Sequence, residues 1–126
     1  MRDDSHLTVN MANSGVINIT VGDKGVSSTG IQTNNLILNN GLINVVSNGS
    51  SGVGIRAIFT LNGGTVVTQG GESALRLGDS ITLPDSYTYW TNTIASATGA
   101  IKKTYPQDGA FFNSDKYKYI KIEAGT

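Results

Sequence analysis

Acidic side chains able to cleave a glycosidic bond are missing from the middle of the chain. Most glycosidases place two carboxylates across the scissile bond, yet no Asp or Glu lies between Asp23 and Glu72. The remaining candidates for a lyase- or hydrolase-like enzyme are Asp79 and Asp85. Because the segments where such enzymes build their grooves carry no acid, we rank an enzyme last among three function classes and predict no catalytic residue.

Metal ligands and nucleophiles are also scarce. The chain has no cysteine and one histidine, His6, so it holds no thiolate nucleophile, no Cys-type zinc site and no set of three histidines for a metal. Asp79 and Asp85 do not fit an EF-hand loop, and a calcium ion held partly by backbone carbonyls stays open as an alternative. We predict no metal site and no cofactor.

Two arginines are the first candidates for ligand binding. Arg56 and Arg76 each follow an apolar residue, Ile55 and Leu75 respectively, which predicts that both lie on one outward face. A pair of guanidinium groups on one face can hold a carboxylate-bearing sugar. The alternative is that both arginines are solvated surface charges of little energetic weight.

Three aromatic residues are the second candidates. Tyr87, Tyr89 and Trp90 offer flat rings with apolar faces and hydrogen-bonding edges, which suit stacking against a sugar. In a strand, Tyr89 and Trp90 point to opposite faces. The alternative is that these rings form the core of their own segment, and the exposure of the rings decides between the two interpretations.

The composition excludes two classes of partner. Nine basic residues balance nine acidic ones and only 14% of the chain is charged, so no basic surface is expected for nucleic acid or an anionic membrane. No apolar run approaches the ~18 residues of a membrane span, and the first residues lack the apolar stretch of a signal peptide. We expect no membrane insertion by this segment, and we expect any export signal and anchor to lie outside it.

Short alternating segments predict an all-β fold. Apolar side chains recur at i and i+2 in Leu36–Leu38, Ile43–Val45 and Phe59–Leu61, which is the period of a strand. Asn- and Gly-rich turns separate the segments, as at 39–41 and 62–64, and these turns need residues that accept positive φ. The frequent β-branched residues and the low charge argue against a disordered chain.

The strands recur at a fixed spacing. Residues 36–45 align with 59–68 without a gap at a shift of 23, and residues 12–19 form a looser copy shifted by 26. Such a repeat, with about three short strands, is typical of a parallel β-solenoid whose coils stack; an antiparallel sandwich is the alternative. Stacking predicts an outward ladder of Asn18 and Asn44. It also predicts six inward residues: Ile17, Ile19, Ile43, Val45, Val66 and Thr68.

The residue pattern changes near Pro84. Eight of the nine aromatic residues and five of the six lysines follow it. Because the end of a solenoid exposes strand edges that invite unwanted pairing, bulky residues and lysines here predict a cap. We therefore expect about three solenoid coils over residues 1–83 and a capping segment over 84–126, within a single structural domain. Inside the cap we expect two strands and a loop: Tyr87–Trp90, Lys116–Ile122 and 99–109.

Several motifs in the last part of the chain resemble a known group. The matching segments are Leu61–Val66, Ser80–Pro84, Tyr87–Thr93 and Lys118–Ile122. Over roughly residues 60–122 they resemble the C-terminal ends of repetitive, adhesin-like surface proteins of Gram-positive gut bacteria. The resemblance implies a short right-handed β-helix that ends in a Tyr-Trp-bearing tail, and it implies export and surface display.

These observations predict a non-catalytic structural or adhesive module, extracellular and on the bacterial cell surface. A carbohydrate-binding module is the alternative, using the cap aromatics or the arginine face, with a polysaccharide or a host-surface glycan as partner. A first coil without a cap, near Leu7–Val9, further predicts either end-to-end self-association or additional coils in the parent chain.

Overall fold

The chain is all-β in the parts that the structure describes. The computed structural model describes residues 6–9, 15–21, 29–82, 86–105, 107 and 117–124. Within these ranges there is no helix, and so none that could cross a membrane. The ten strands are β1 His6–Val9, β2 Val16–Val21, β3 Thr29–Leu38, β4 Leu42–Ser47, β5 Val53–Leu61, β6 Thr65–Gly70, β7 Ser73–Thr82, β8 Tyr87–Asn92, β9 Ile101–Tyr105 and β10 Tyr119–Ala124.

Successive strands alternate between two sheets. The odd-numbered strands β1, β3, β5 and β7 form a four-stranded sheet in which every pair is parallel. The even-numbered strands β2, β4 and β6 are parallel neighbours in a six-stranded sheet. That sheet continues through β10, β8 and β9, which pair antiparallel. The six-stranded sheet is therefore half parallel and half antiparallel.

The pairing register follows the sequence repeat. Leu36 of β3 pairs with Phe59 of β5, which reproduces the shift of 23. Ile17 of β2 pairs with Ile43 of β4, which reproduces the looser shift of 26. The repeat predicted from the sequence is therefore confirmed as the register of β2, β4 and β6 in one sheet and of β3 with β5 in the other. Strand β1 pairs with β3 at a shift of 29, and β5 pairs with β7 at shifts of 20 and 22.

Each repeat contributes two strands, where the sequence predicted about three. The longer strand of the repeat carries an irregularity, between Gln32 and Asn35 in β3 and between Ala57 and Phe59 in β5. At these points the strand pairing shifts but does not stop. Two short segments that look separate in the sequence are therefore one interrupted strand.

Inward and outward residues alternate as expected. All six residues predicted to point inward are buried or partly buried, and Val45, Val66 and Thr68 have no exposed surface. Phe59, Leu36 and other apolar residues of the four-stranded sheet belong to the same core. Asn44 donates from Nδ2 to Oδ1 of Asn18 over 3.3 Å, so the predicted amide ladder is present.

The turns that precede β4 and β6 stack on one another. Gly41 and Gly64 have φ of 88° and 82°, a backbone conformation that residues with a side chain rarely adopt. A Cβ on Gly64 would collide with the carbonyl oxygen of Gly41. Asn62 donates from Nδ2 to Oδ1 of Asn39 over 2.8 Å, which adds a second amide contact one repeat apart.

The antiparallel strands come from the segment predicted to form the cap. Strands β8 and β10 lie where strands were expected, but β9 lies inside 99–109, where the sequence predicted a loop. That prediction is wrong because Ile101 to Lys103 show no alternation: all three side chains are exposed on an edge strand. The boundary expected at Pro84 falls outside the described residues.

Candidate functional site

The outward face of the six-stranded sheet carries one row of side chains that crosses the parallel repeat strands and the antiparallel strands. On β6 the outward residue Val67 pairs with Lys121 of β10, and Lys121 pairs with Trp90 of β8. Trp90 pairs in turn with Lys102 of the edge strand β9. Because paired residues point to the same face of a sheet, one row runs through Asn18, Asn44, Val67, Lys121, Trp90 and Lys102.

Trp90 lies between two cations. Its ring is partly exposed, with Nζ of Lys121 4.6 Å and Nζ of Lys102 5.6 Å from the ring centroid. Both distances are within the ~6 Å range of cation–π attraction. The indole therefore holds the two lysine side chains against the sheet, and its own faces are partly occupied by them.

Lys121 also contacts a carboxylate. Its Nζ lies 3.6 Å from Oε1 of Glu123, and the two side chains are 33% and 38% exposed. A pair this exposed contributes little to stability. Its effect is positional, since it places one hydrogen-bond donor and one acceptor side by side on the same strand face.

A groove of about 460 Å³ lies beside this ion pair. Two half-buried apolar side chains, Leu42 and Val67, form part of its lining, and Thr65 adds a hydroxyl. The stacked turn glycines Gly41 and Gly64 line one end without any side chain. The remaining wall is formed by Lys121 and Glu123. The groove thus spans the junction between the parallel repeats and the antiparallel strands.

Tyr87 and Tyr89 lie on the opposite face of β8. They are 3% and 6% exposed and belong to the core. Tyr87 stacks on Tyr105 with 4.9 Å between ring centroids and 10° between ring planes. Their rings present no face to a ligand in solvent, so these two predicted sugar-stacking residues are corrected to core residues. The expectation that Tyr89 and Trp90 point to opposite faces is confirmed.

The two arginines are brought together at the level of the backbone. Arg56 of β5 pairs with Arg76 of β7, and on its other side with Gln32 of β3. Gln32 and Arg56 are exposed, whereas the side chain of Arg76 lies outside the described residues. The register sets Arg56 and Arg76 at paired positions, and the predicted outward direction is described for Arg56 alone.

The described residues offer few titratable side chains that could bind a metal or transfer a proton. They contain no group of three His, Asp or Glu side chains able to hold a metal ion. The side chains of Asp79 and Asp85 lie outside the described residues. Burial raises the pKa of Tyr119 above its ordinary value of 10.0. Tyr119 pairs with Gln69 and Asn92, two residues along β10 from Lys121.

Sequence reasoning missed Lys102, Lys121 and Glu123 as neighbours of Trp90 and of the groove. The alternation in β10 does place Lys121 and Glu123 on one face. It does not indicate that β10 lies between β6 and β8, because no turn links these strands directly. The groove arises from that long-range pairing.

Comparison with known proteins finds no matching family model, curated protein or solved structure.

Proposed function

We propose that this chain is a non-catalytic structural and adhesive module of a bacterial surface protein. In this proposal it forms a short right-handed parallel β-helix of about three coils, closed at one end by an antiparallel cap. The observation that carries the proposal is the in-register parallel pairing of β2, β4 and β6 in one sheet and of β3 with β5 in the other, at shifts of 23 to 26 residues. Each repeat then supplies one strand to each sheet.

The connections between strands support the helical path. Strands alternate between the sheets along the chain from β1 to β7, and both sheets contribute side chains to one core. The turn before β6 hydrogen-bonds to the turn before β4, since Thr65 N donates to O of Gly41 over 2.9 Å. Backbone contacts between successive turns are what stacked coils require.

The antiparallel strands support a capping role. Edge strands are natural sites of unwanted pairing, and lysines on an edge discourage it. The edge strand β9 carries Lys102 and Lys103, both exposed. Segment 117–118 also contacts the ends of β6 and β7, since Gly70 N and Ala74 N donate to the carbonyl oxygens of Lys118 and Tyr117.

A stalk or adhesive role suits these properties. A stacked fold without cysteine does not depend on disulfide formation, and only 14% of the residues are charged. Display outside the cell follows from the resemblance to adhesin-like surface proteins and is part of the proposal.

The adhesive role is tested with beads coated with the purified chain. We expect these beads to be retained on mucin-coated surfaces or epithelial cells more than beads coated with an unfolded variant. Ile43→Asp serves as that variant, because a charge at this buried position is not tolerated. Equal retention of both kinds of bead would contradict the adhesive part of the proposal.

An acidic glycan at the arginine row is a second candidate for the bound partner. It is favoured by the register that sets Gln32, Arg56 and Arg76 side by side across three strands. Binding of oligogalacturonate should then fall in an Arg56→Gln, Arg76→Gln variant and stay unchanged in a Lys103→Gln variant. If both variants bind equally, the arginine row is not the site.

A further inference from the structure

We infer that the groove at the junction of repeats and cap binds a neutral glycan. This groove is lined by Gly41, Leu42, Gly64, Thr65, Val67, Lys121 and Glu123. It lies on the six-stranded sheet, away from the arginine row of the four-stranded sheet. The inference depends on the local pairing of β4, β6 and β10. Its test is therefore independent of the proposed β-helix and of the adhesive role.

The size and chemistry of the groove fit a sugar. Its volume of about 460 Å³ is within the range of small-ligand sites. Leu42 and Val67 supply an apolar surface for the C–H face of a pyranose ring. Lys121, Glu123 and Thr65 supply donors and acceptors along the edge, where the ring carries its hydroxyl groups.

The ion pair argues for a neutral ligand over an acidic one. Glu123 lies 3.6 Å from the ammonium of Lys121, so the positive charge at the wall is already balanced and a carboxylate entering the groove would meet Glu123. Adjacent hydroxyls on a sugar can instead accept a hydrogen bond from Lys121 and donate one to Glu123. Both bonds involve a charged partner and are stronger than neutral ones.

The wall is held in place before any ligand arrives. Lys121 is fixed between the Trp90 ring at 4.6 Å and the Glu123 carboxylate at 3.6 Å. Gly41 and Gly64 line the end of the groove without a side chain. Preorganised polar groups lose less entropy on binding than free lysine and glutamate side chains would.

Trp90 gives a direct readout, because it is the single tryptophan of the chain and contacts Lys121. The probes are short oligosaccharides of glucose, mannose, xylose and N-acetylglucosamine, with oligogalacturonate as the acidic comparison. We expect a saturable change in tryptophan fluorescence with at least one neutral probe in the micromolar to millimolar range.

Variants locate the site. Lys121→Met and Glu123→Gln should each weaken binding about tenfold or more, since each removes a charged hydrogen-bond partner. Val67→Phe should abolish binding by filling the groove without changing any charge, and it provides an independent test if the polar variants alter the sheet. Lys103→Met is the matched control, because it removes an exposed lysine from β9 outside the groove.

Three results would overturn the inference. The first is the absence of a saturable response to every neutral probe. The second is a response to oligogalacturonate alone, which would indicate an anion site at Lys102 and Lys121. The third is neutral binding that survives Val67→Phe, which would place the ligand elsewhere.

Discussion

The side-chain amide of Asn62 donates to that of Asn39 over 2.8 Å, and the two residues are 23 positions apart in the chain. The same spacing separates Leu36 from its strand neighbour Phe59. The turn contact and the strand pairing therefore share the same spacing of 23 residues. Since the same 23-residue spacing sets a backbone pairing and a side-chain contact here, the effects of point substitutions should depend on whether a residue has a neighbour one repeat away.

Gly64 and Gly99 allow that dependence to be measured. Both have positive φ, 82° and 86°, so each should lose stability when changed to alanine. Among the described residues, a Cβ on Gly99 would approach only Asn92 Nδ2, at 3.9 Å, whereas one on Gly64 would collide with the Gly41 backbone. We expect Gly99→Ala to cost about 1 kcal/mol and Gly64→Ala about 2–4 kcal/mol in urea unfolding. Equal losses would contradict stacking of the turns.

Thr68 is a buried polar residue in an otherwise apolar ladder. It has no exposed surface, it pairs with Val45, and its Oγ1 donates to O of Ala74 over 2.6 Å. Thr68→Val keeps the shape but removes this bond, so it should destabilise the fold by about 1 kcal/mol. Thr65→Val on the outward face of β6 is the control, expected to change stability by less than about 0.5 kcal/mol. A stabilised Thr68→Val protein would show that the bond is dispensable.

Tyr119 should make stability depend on alkaline pH. Burial raises its pKa in the folded protein above the ordinary value of 10.0, so the folded chain holds the phenolic proton more tightly than the unfolded chain. Its contribution is fully present below pH 10 and is lost as pH rises through the folded pKa. Urea midpoints should therefore fall above about pH 10. In Tyr119→Phe this part of the decline should disappear; an unchanged decline would assign it to other groups.

Lys102 and Lys103 should keep the chain from pairing through β9. Replacing both with valine leaves an apolar edge strand, which favours strand addition by a second molecule. We expect the double variant to self-associate in light scattering at concentrations where the parent chain does not. Arg56→Val, on the interior strand β5, is the control for added apolar surface. A double variant that behaves like its parent would remove the edge-protection role.

Local pattern was enough to predict the repeat strands β2 to β6 and their register. The gapless alignment of 36–45 with 59–68 anticipated the pairing of Leu36 with Phe59, and the alternation anticipated the burial of Ile43 and Val66. These features depend on residues whose neighbours lie one repeat away. A repeat visible in the sequence therefore carries the long-range contact with it.

The cap and the groove have no such repeat. Strand β10 lies between β6 and β8, and nothing in the local sequence of 119–124 specifies those partners. For this reason the placement of Lys121 beside Trp90 was not predictable. The sequence left open whether Tyr87 and Tyr89 stack on a ligand or form a core, and their burial favours the core. The opposite orientation of Tyr89 and Trp90 was predicted correctly. Edge strand β9 was not predicted because its first three residues, Ile101 to Lys103, are all exposed and show no alternation.

The central claim is that residues 42–64 form one coil of a stack, and duplicating them in place tests it most directly. A second copy inserted after Gly64 should add one strand to each sheet at the ~4.8 Å spacing of paired strands. Hydrogen exchange followed by mass spectrometry should then find the inserted amides as protected as those of the original copy, while a Gly-Ser insert of equal length at the same point exchanges freely. An inserted copy that exchanges as fast as the Gly-Ser insert, or that unfolds the chain, would contradict a stack of interchangeable coils.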